Sequence, residues 1–224
     1  MTRSATLLRG QTMRILVVDD HPTVREGLAH CIAAQPDMTV CGAAADVGEA
    51  LREIEEHQPH LVIVDISLKT SDGLDLVKAI VNRHPAVRTV VHSMYDEAIY
   101  ADRCLRAGAH GYVNKEADPD DVIEAIRTVL AGDIYLSAKM TSRLLGRRFA
   151  STTQPTDPVE TLTDRQLEIF RLIGEGGDTR SIAQRLHLSV HTVETHRENI
   201  KRKLGVERLS DLNRRAVLWA QENR

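Results

Sequence analysis

Three aspartates stand where two short apolar runs end. Arg14 to Val18 reads R-I-L-V-V and runs into Asp19 and Asp20, and Leu61 to Val64 reads L-V-I-V and runs into Asp65. Uninterrupted β-branched and aliphatic runs of this length make strands buried on both faces, as in a parallel sheet covered by helices. In such sheets the ligand site lies just beyond the carboxyl ends of the strands. Two strands ending there in aspartate bring three carboxylates into one small, partly water-excluded space. Three like charges that close cannot all stay ionised without a neutralising partner. A divalent cation that prefers oxygen ligands meets the need, and Mg²⁺ fits best.

The elements that must hold these acids follow from alternating signals. Strands are expected at Arg14–Val18, Met38–Ala43, Leu61–Asp65, Arg88–His92 and Gly111–Val113. Helices are expected from His21-Pro22 to about Gln35, from Asp46 to Gln58, and over Gly73–Asn82, Glu97–Ala107 and Pro119–Ala131. Pro22 suits the first helical position, and Asp46 with Glu49 has acidic N-cap spacing. Five strands alternating with five helices predict a doubly wound α/β domain over 14–133, because parallel neighbours need helical crossovers. Residues 134–160 read as a short helix, Ser137 to Arg148, and a Pro-rich polar linker, Ser151 to Pro158.

From Leu162 the period is helical throughout. Thr163 to Gln166 is a capping-box pattern opening a helix to Ile173. Asp178 or Thr179 caps a short helix ending near Leu186, and a tight turn, His187 to Ser189, leads into a long helix from Val190 to Leu204. Gly205 is a glycine stop, and Ser210 is expected to cap a last helix to about Glu222. A small all-α domain over 161–224, its middle helices joined by a tight turn, matches a helix-turn-helix module.

Composition narrows the classes. At 42% hydrophobic and 27% charged, the chain of 224 residues is ordinary globular material. No run of eighteen apolar residues exists, so no membrane helix is expected. Residues 1–13 lack an apolar signal core and read as a disordered extension, with Met13 a possible second start. Cys31, Cys41 and Cys104 have unrelated spacing and read as reduced thiols of a cytoplasmic protein. The histidines show no sustained metal spacing, so zinc is not expected. Residues 161–224 carry a net charge of +3 and the remainder −6, which suggests two domains and a polyanion as partner of the second.

Residues 14 to 131 resemble the receiver domain of two-component response regulators, a flavodoxin-like fold. The residues that carry the likeness are the Asp19-Asp20 pair, Asp65 ending the third strand, Ser93 ending the fourth and Lys115 just after the fifth. The resemblance implies that Asp65 is the phosphoacceptor. It also implies that Asp19, Asp20, Asp65 and the backbone carbonyl of Ser67 hold Mg²⁺. Ser93 and Lys115 would meet the phosphoryl group. Tyr112 matches the switch aromatic that swings inward; packing is the other reading of it. The chemistry agrees, since a carboxylate can store a phosphoryl group as an acyl phosphate and the transfer needs positioning and charge neutralisation above all. Three positions depart from the common pattern: Lys69 and Glu116 stand where proline is frequent, and Met94 where a smaller residue is commoner.

Residues 161 to 224 resemble the LuxR-type helix-turn-helix of the NarL/FixJ class, through Leu162-Thr163 with Arg165 and Glu168, Ile182-Ala183 with Leu186, Ser189-x-x-Thr192-Val193-x-x-His196 with Ile200, and Lys203-Leu-Gly-Val206. At ~100° per residue, Val193, Ile200 and Leu204 share one stripe and His191, Thr195, Glu198 and Arg202 lie opposite. The resemblance implies base-reading positions at Glu194, Thr195 and Glu198, and phosphate contacts at Thr192, Arg197, Lys201 and Arg180. Ser189, Val193 and Lys203 complete the expected DNA-binding set. Leu212, Ala216 and Trp219 share a stripe that core packing explains as well as the dimer contact the resemblance implies.

The combined expectation is a cytoplasmic DNA-binding response regulator rather than an enzyme. A sensor histidine kinase would phosphorylate it on Asp65, and it would bind paired half-sites of double-stranded DNA as a homodimer. The alternative is a transcription factor or adaptor with a degenerate receiver, acting without phosphorylation. An enzyme turning over an aspartyl phosphate would need a second carboxylate near the nucleophile, and Ile66 and Ser67 follow Asp65 instead.

Overall fold

The structure is a computed structural model that describes residues 12–68, 73–149 and 158–223, and side chains within the last turns of the helix ending at Phe149 only as far as residue 144. The expected extension lies outside these residues up to Gln11, as do Lys69 and the linker up to residue 157. The chain divides into two compact units between Leu144 and Leu145.

The first unit is a parallel sheet wrapped by helices. Its strands are β1 (Met13–Val18), β2 (Met38–Ala44), β3 (Leu61–Val64), β4 (Arg88–Ser93) and β5 (Gly111–Asn114), in the order β2-β1-β3-β4-β5. Between them run α1 (Pro22–Ala33), α2 (Val47–His57), α3 (Gly73–Arg83), α4 (Glu97–Ala107) and α5 (Pro119–Ala131), followed by α6 (Ala138–Phe149). Met13 is buried as the first residue of β1, so the strand begins one residue earlier than expected. All four residues of β3 are buried, as a central strand covered on both faces requires. Ile15, Val17, Ile63, Val90 and Val113 form one face of the core with Val122, Ile126 and Val129 of α5.

Register sets the site. Val18 pairs with Val64, so Asp19 and Asp65 leave adjacent strands at the same height. Ser93 pairs with Asn114, and the ladder continues with the Lys115 N–H donating to the Ser93 carbonyl at 2.9 Å.

The second unit is helical. A 3₁₀ turn (Pro158–Thr161) precedes α7 (Asp164–Gly174), α8 (Thr179–Arg185), α9 (Val190–Leu204) and α10 (Leu209–Glu222). Pro158, expected in the linker, opens that turn, and its neighbour Val159 is buried. Thr163 and Gln166 complete a reciprocal capping box, Asp178 caps α8, and Ser189 caps α9 by accepting from the Thr192 N–H at 3.0 Å. Gly205 ends α9 in the left-handed conformation at φ 66°, which costs glycine little. One expectation fails: α10 starts at Leu209, so Ser210 lies inside its first turn. The Arg208 carbonyl, rather than a serine side chain, receives the Asp211 and Leu212 N–H groups.

Candidate functional site

The acids converge as expected. Asp19 and Asp65 are each 1% exposed, and the Asp20 side chain is 6% exposed. Asp19, Asp20, His21 and Asp65 each offer one ligand atom, all within 4.8 Å of one another. Carboxylate oxygens dominate this donor set, so the residues fit a hard cation such as Mg²⁺. Ser67 joins through its N–H and hydroxyl, which donate to Asp65 Oδ1 at 2.9 and 2.7 Å. α3 approaches the end of β3 closely: a Cβ on Gly73 would stand 2.2 Å from the Asp65 carbonyl oxygen.

One ammonium offsets this charge, and an imidazole lies beside it. Lys115 Nζ donates to Asp19 Oδ2 at 2.6 Å and to Asp65 Oδ2 at 2.7 Å. Burial works against its charge, but the Asp65 and Asp19 carboxylates outweigh it and raise its pKa above the ordinary lysine value. His21 Nδ1 lies 3.0 Å from Asp20 Oδ1 and 3.3 Å from Asp19 Oδ1. Sequence reasoning passed over His21 as a site residue. Its position directly after the aspartate pair was the signal available.

Ser93 is fully buried, and its Oγ accepts from the Tyr95 N–H at 3.2 Å. Tyr112 is fully buried too, and its phenol donates to the Tyr95 carbonyl at 2.7 Å. Its pKa is raised chiefly by burial. The Tyr112 side chain therefore points inward in this structure. Glu116 is exposed beside Lys115, with its N–H on Asn114 Oδ1 at 2.8 Å.

On the helical unit, Arg180, Ser189, Glu194, Thr195 and Glu198 are exposed, and Thr192 and Lys201 are half-buried. Lys201 Nζ pairs with Glu198 at 3.1 Å, one turn away on the same face. The remaining expected DNA contacts lie elsewhere. Val193 is fully buried, as its place on the apolar stripe requires. Arg197 is 7% exposed, its guanidinium donating to Thr179 Oγ1 at 3.2 Å and Asn213 Oδ1 at 3.0 Å, so it ties α9 to its neighbours instead of facing outward. Lys203 is exposed, but its ammonium donates to the Thr161 carbonyl and Gln166 Oε1, both at 2.8 Å.

Leu212, Ala216 and Trp219 show the core packing that their shared stripe allowed. All three are buried within their own unit, and Trp219 packs on Phe170 of α7 with ring centroids 5.6 Å apart. The apolar side chains that α10 exposes are Leu209, Val217 and Leu218.

Comparison with known proteins agrees with both units. Residues 15–127 match the response regulator receiver domain, and residues 160–216 match the bacterial regulatory proteins of the luxR family. The oxygen regulatory protein NreC of Staphylococcus carnosus is 38% identical over 205 residues, covering 89% of this chain and 94% of that protein. A crystal structure of a LuxR-family two-component response regulator from Aurantimonas sp. SI85-9A1 is 36% identical, with TM-score 0.58, covering 62% of this chain and 99% of that one. RcsB from Salmonella enterica serovar Typhimurium, solved bound to promoter rprA with the phosphomimetic BeF3-, is 26% identical with TM-score 0.67, covering 91% of this chain and 98% of that one. This chain belongs to the LuxR family of two-component response regulators, DNA-binding regulators of transcription rather than enzymes.

Proposed function

We propose that Asp65 accepts a phosphoryl group from the phosphohistidine of a partner sensor histidine kinase, and that this change controls DNA binding by the helical unit. The observation that carries the reading is the convergence of Asp19, Asp20 and Asp65 around one point, with Lys115 reaching it from just past β5. An Asp65 carboxylate oxygen attacks phosphorus, the P–N bond breaks, and the departing imidazole keeps the electron pair and takes a proton. Asp19, Asp20, Asp65 and the Ser67 carbonyl would hold Mg²⁺. That ion would offset the charge gathered by the aspartates and the phosphoryl oxygens. Lys115 moves from pairing with carboxylates to pairing with the phosphoryl group, and the Ser93 hydroxyl donates to one of its oxygens. The inward Tyr112 is the arrangement this state favours, a population shift rather than a new fold.

Glu194, Thr195 and Glu198 then read base edges in the major groove, where a glutamate accepts from a cytosine amino group and a threonine methyl touches thymine. Arg180, Thr192 and Lys201 hold phosphates and set orientation. Two copies in the cytoplasm pair through the apolar surface of α10 at Leu209, Val217 and Leu218 and bind paired half-sites.

The test is intact-mass measurement after treatment with a small acyl phosphate and Mg²⁺. The wild-type chain gains the mass of one phosphoryl group, and Asp65→Asn gains nothing. An equal gain in the variant refutes the site. No gain in the wild type favours a receiver that acts without phosphorylation.

A further inference from the structure

Past α5 the chain does not leave the sheet at once. Tyr135 forms a parallel bridge with Gly111 beside β5. Its N–H donates to the His110 carbonyl at 3.1 Å, and its carbonyl accepts the Tyr112 N–H at 3.0 Å. Ser137 then starts α6. Its hydroxyl oxygen accepts the Met140 N–H at 3.1 Å, as an N-cap does, and its carbonyl accepts the Thr141 N–H at 2.9 Å as the first bond of the helix. Ser137 is itself held by one side chain. The Glu97 carboxylate accepts from the Ser137 N–H at 2.9 Å, and its second oxygen accepts from the Ser137 hydroxyl.

Glu97 is the first residue of α4, and the loop before it is tied to the switch residues. Tyr95 donates its N–H to Ser93, and its carbonyl takes the Tyr112 phenol and, at 3.1 Å, the Asn114 side-chain amide. Asp96 caps α4 through the Ala98 N–H at 2.7 Å. Hydrogen bonds at Tyr95 and at Glu97, joined by the short backbone segment between them, thus connect Ser93, at the end of β4, to the first turn of α6, the helix that leads to residues 150–157 and the DNA-binding unit. Burial comes first in raising the phenol pKa of both Tyr112 and Tyr135, and the Glu97 charge adds to it at each ring.

We infer that Glu97 is a latch that holds the start of α6 when Tyr112 is inward, so that phosphorylation of Asp65 and docking of α6 favour one another. This rests on the phosphorylation reading above and deepens it. A phosphoryl group that draws Ser93 toward it stabilises the loop carrying Tyr95. The same loop positions Glu97 at the base of α6. A carboxylate receiving two donors is a stronger grip than a neutral acceptor, and glutamine offers one acceptor oxygen and no charge. Coupling of this kind is reciprocal: loss of the latch also weakens retention of the inward Tyr112. Glu97 acts through Ser137 and the loop, so it is a positioning residue.

Hydrogen exchange on the full-length chain tests this, read at residues 137–141 with and without the acyl phosphate and Mg²⁺, with intact mass followed in parallel. In the wild type, phosphorylation slows exchange there by about tenfold, the scale of one charge-assisted hydrogen bond. Glu97→Gln gains the same mass, but its exchange response falls below about threefold, since one acceptor is lost. Ser137→Ala loses the response, and Ser137→Thr, which keeps the hydroxyl, retains it. A purely structural anchor would shift exchange equally in both states. A full tenfold response in Glu97→Gln overturns the latch, as does a phosphorylated wild type with unchanged exchange. Should Glu97→Gln not fold, the Ser137 pair decides: equal responses in the alanine and threonine variants overturn it. Absence of any mass gain in the wild type instead removes the phosphorylation reading, and the latch with it.

Discussion

Lys115 Nζ stands 2.7 Å from Asp65 Oδ2 although fifty positions separate the two residues, and the same ammonium lies 2.6 Å from Asp19 Oδ2. One lysine thus offsets two of the three clustered carboxylates. Its side chain is 7% exposed, so water screens these pairs little. A divalent cation at the cluster would share these carboxylates with the ammonium.

Lys115→Met removes that offset and leaves two buried carboxylates without their shared cation. Breaking a buried pair from one side costs about 3–5 kcal/mol. Urea unfolding of the variant without divalent ions is expected to show a loss of that order. Added Mg²⁺ recovers part of it, and more in the variant than in the wild type. Equal stability of the two proteins without Mg²⁺ would contradict the offset.

Gly73→Ala places a methyl group 2.2 Å from the Asp65 carbonyl oxygen and 2.5 Å from the Ile66 Cα. Backbone cannot yield there cheaply, and overpacking of this kind costs about 1–3 kcal/mol. Because the displaced atoms are the Asp65 carbonyl and the backbone next to it, the proposed phosphoacceptor shifts, and the rate of mass gain from acyl phosphate is expected to fall along with the melting temperature. A variant that melts lower yet phosphorylates at the wild-type rate would separate the two effects and refute the linkage.

His92 is buried at the end of β4, and its Nδ1 has no hydrogen-bond partner among the described residues. Burial first, and then the Lys115 ammonium, push its pKa down to about 4, against the pull of Asp19. The folded value lies below the unfolded value near 6.5, so between them the unfolded chain holds a proton that the folded chain lacks. The stabilising contribution is complete above pH 6.5 and is lost as pH falls toward 4, by ~3 kcal/mol for a shift of this size. Stability of the wild type should therefore fall between pH 6.5 and 4.5, and His92→Leu should flatten the slope by up to one proton. A slope unchanged in the variant would clear His92 of the effect.

Arg197 and Lys201 lie one turn apart on α9 and should behave oppositely. Arg197→Ala strips partners from Thr179 and Asn213 and is expected to destabilise the helical unit by about 1.5–3 kcal/mol. Lys201→Ala leaves stability nearly unchanged, weakens binding evenly across DNA sequences, and lowers the salt slope by about 0.9. Thermal melts and binding titrations at several salt concentrations separate the two. A stable Arg197→Ala protein with a reduced salt slope would restore Arg197 to the phosphate face.

Much of this architecture was legible in the residues because it rests on short-range rules. Apolar runs ending in Asp19-Asp20 and Asp65 dictate parallel strands, and the Pro22, Asp46, Thr163 and Asp178 signals place helix starts where backbone N–H groups need partners. Parallel register does the rest for the acids: once Val18 pairs with Val64, the carboxylates must meet. Ser210 was misread as a cap because local capping chemistry there yields to the Arg208 backbone, with α10 held by its inner stripe against α7.

By itself the sequence determined the two folds, the acid cluster and the helix-turn-helix, since periodicity, caps and strand-end residues act over a few positions. Which side of a helix each residue spends its free energy on was decided only by tertiary structure. Arg197 and Lys203 are long enough to reach either DNA or a neighbouring helix, and only the packed helices supply Asn213, Thr161 and Gln166 as partners. The same holds for Trp219, which fills a space that Phe170 bounds, and for the meeting of Glu97 with Ser137 across forty positions.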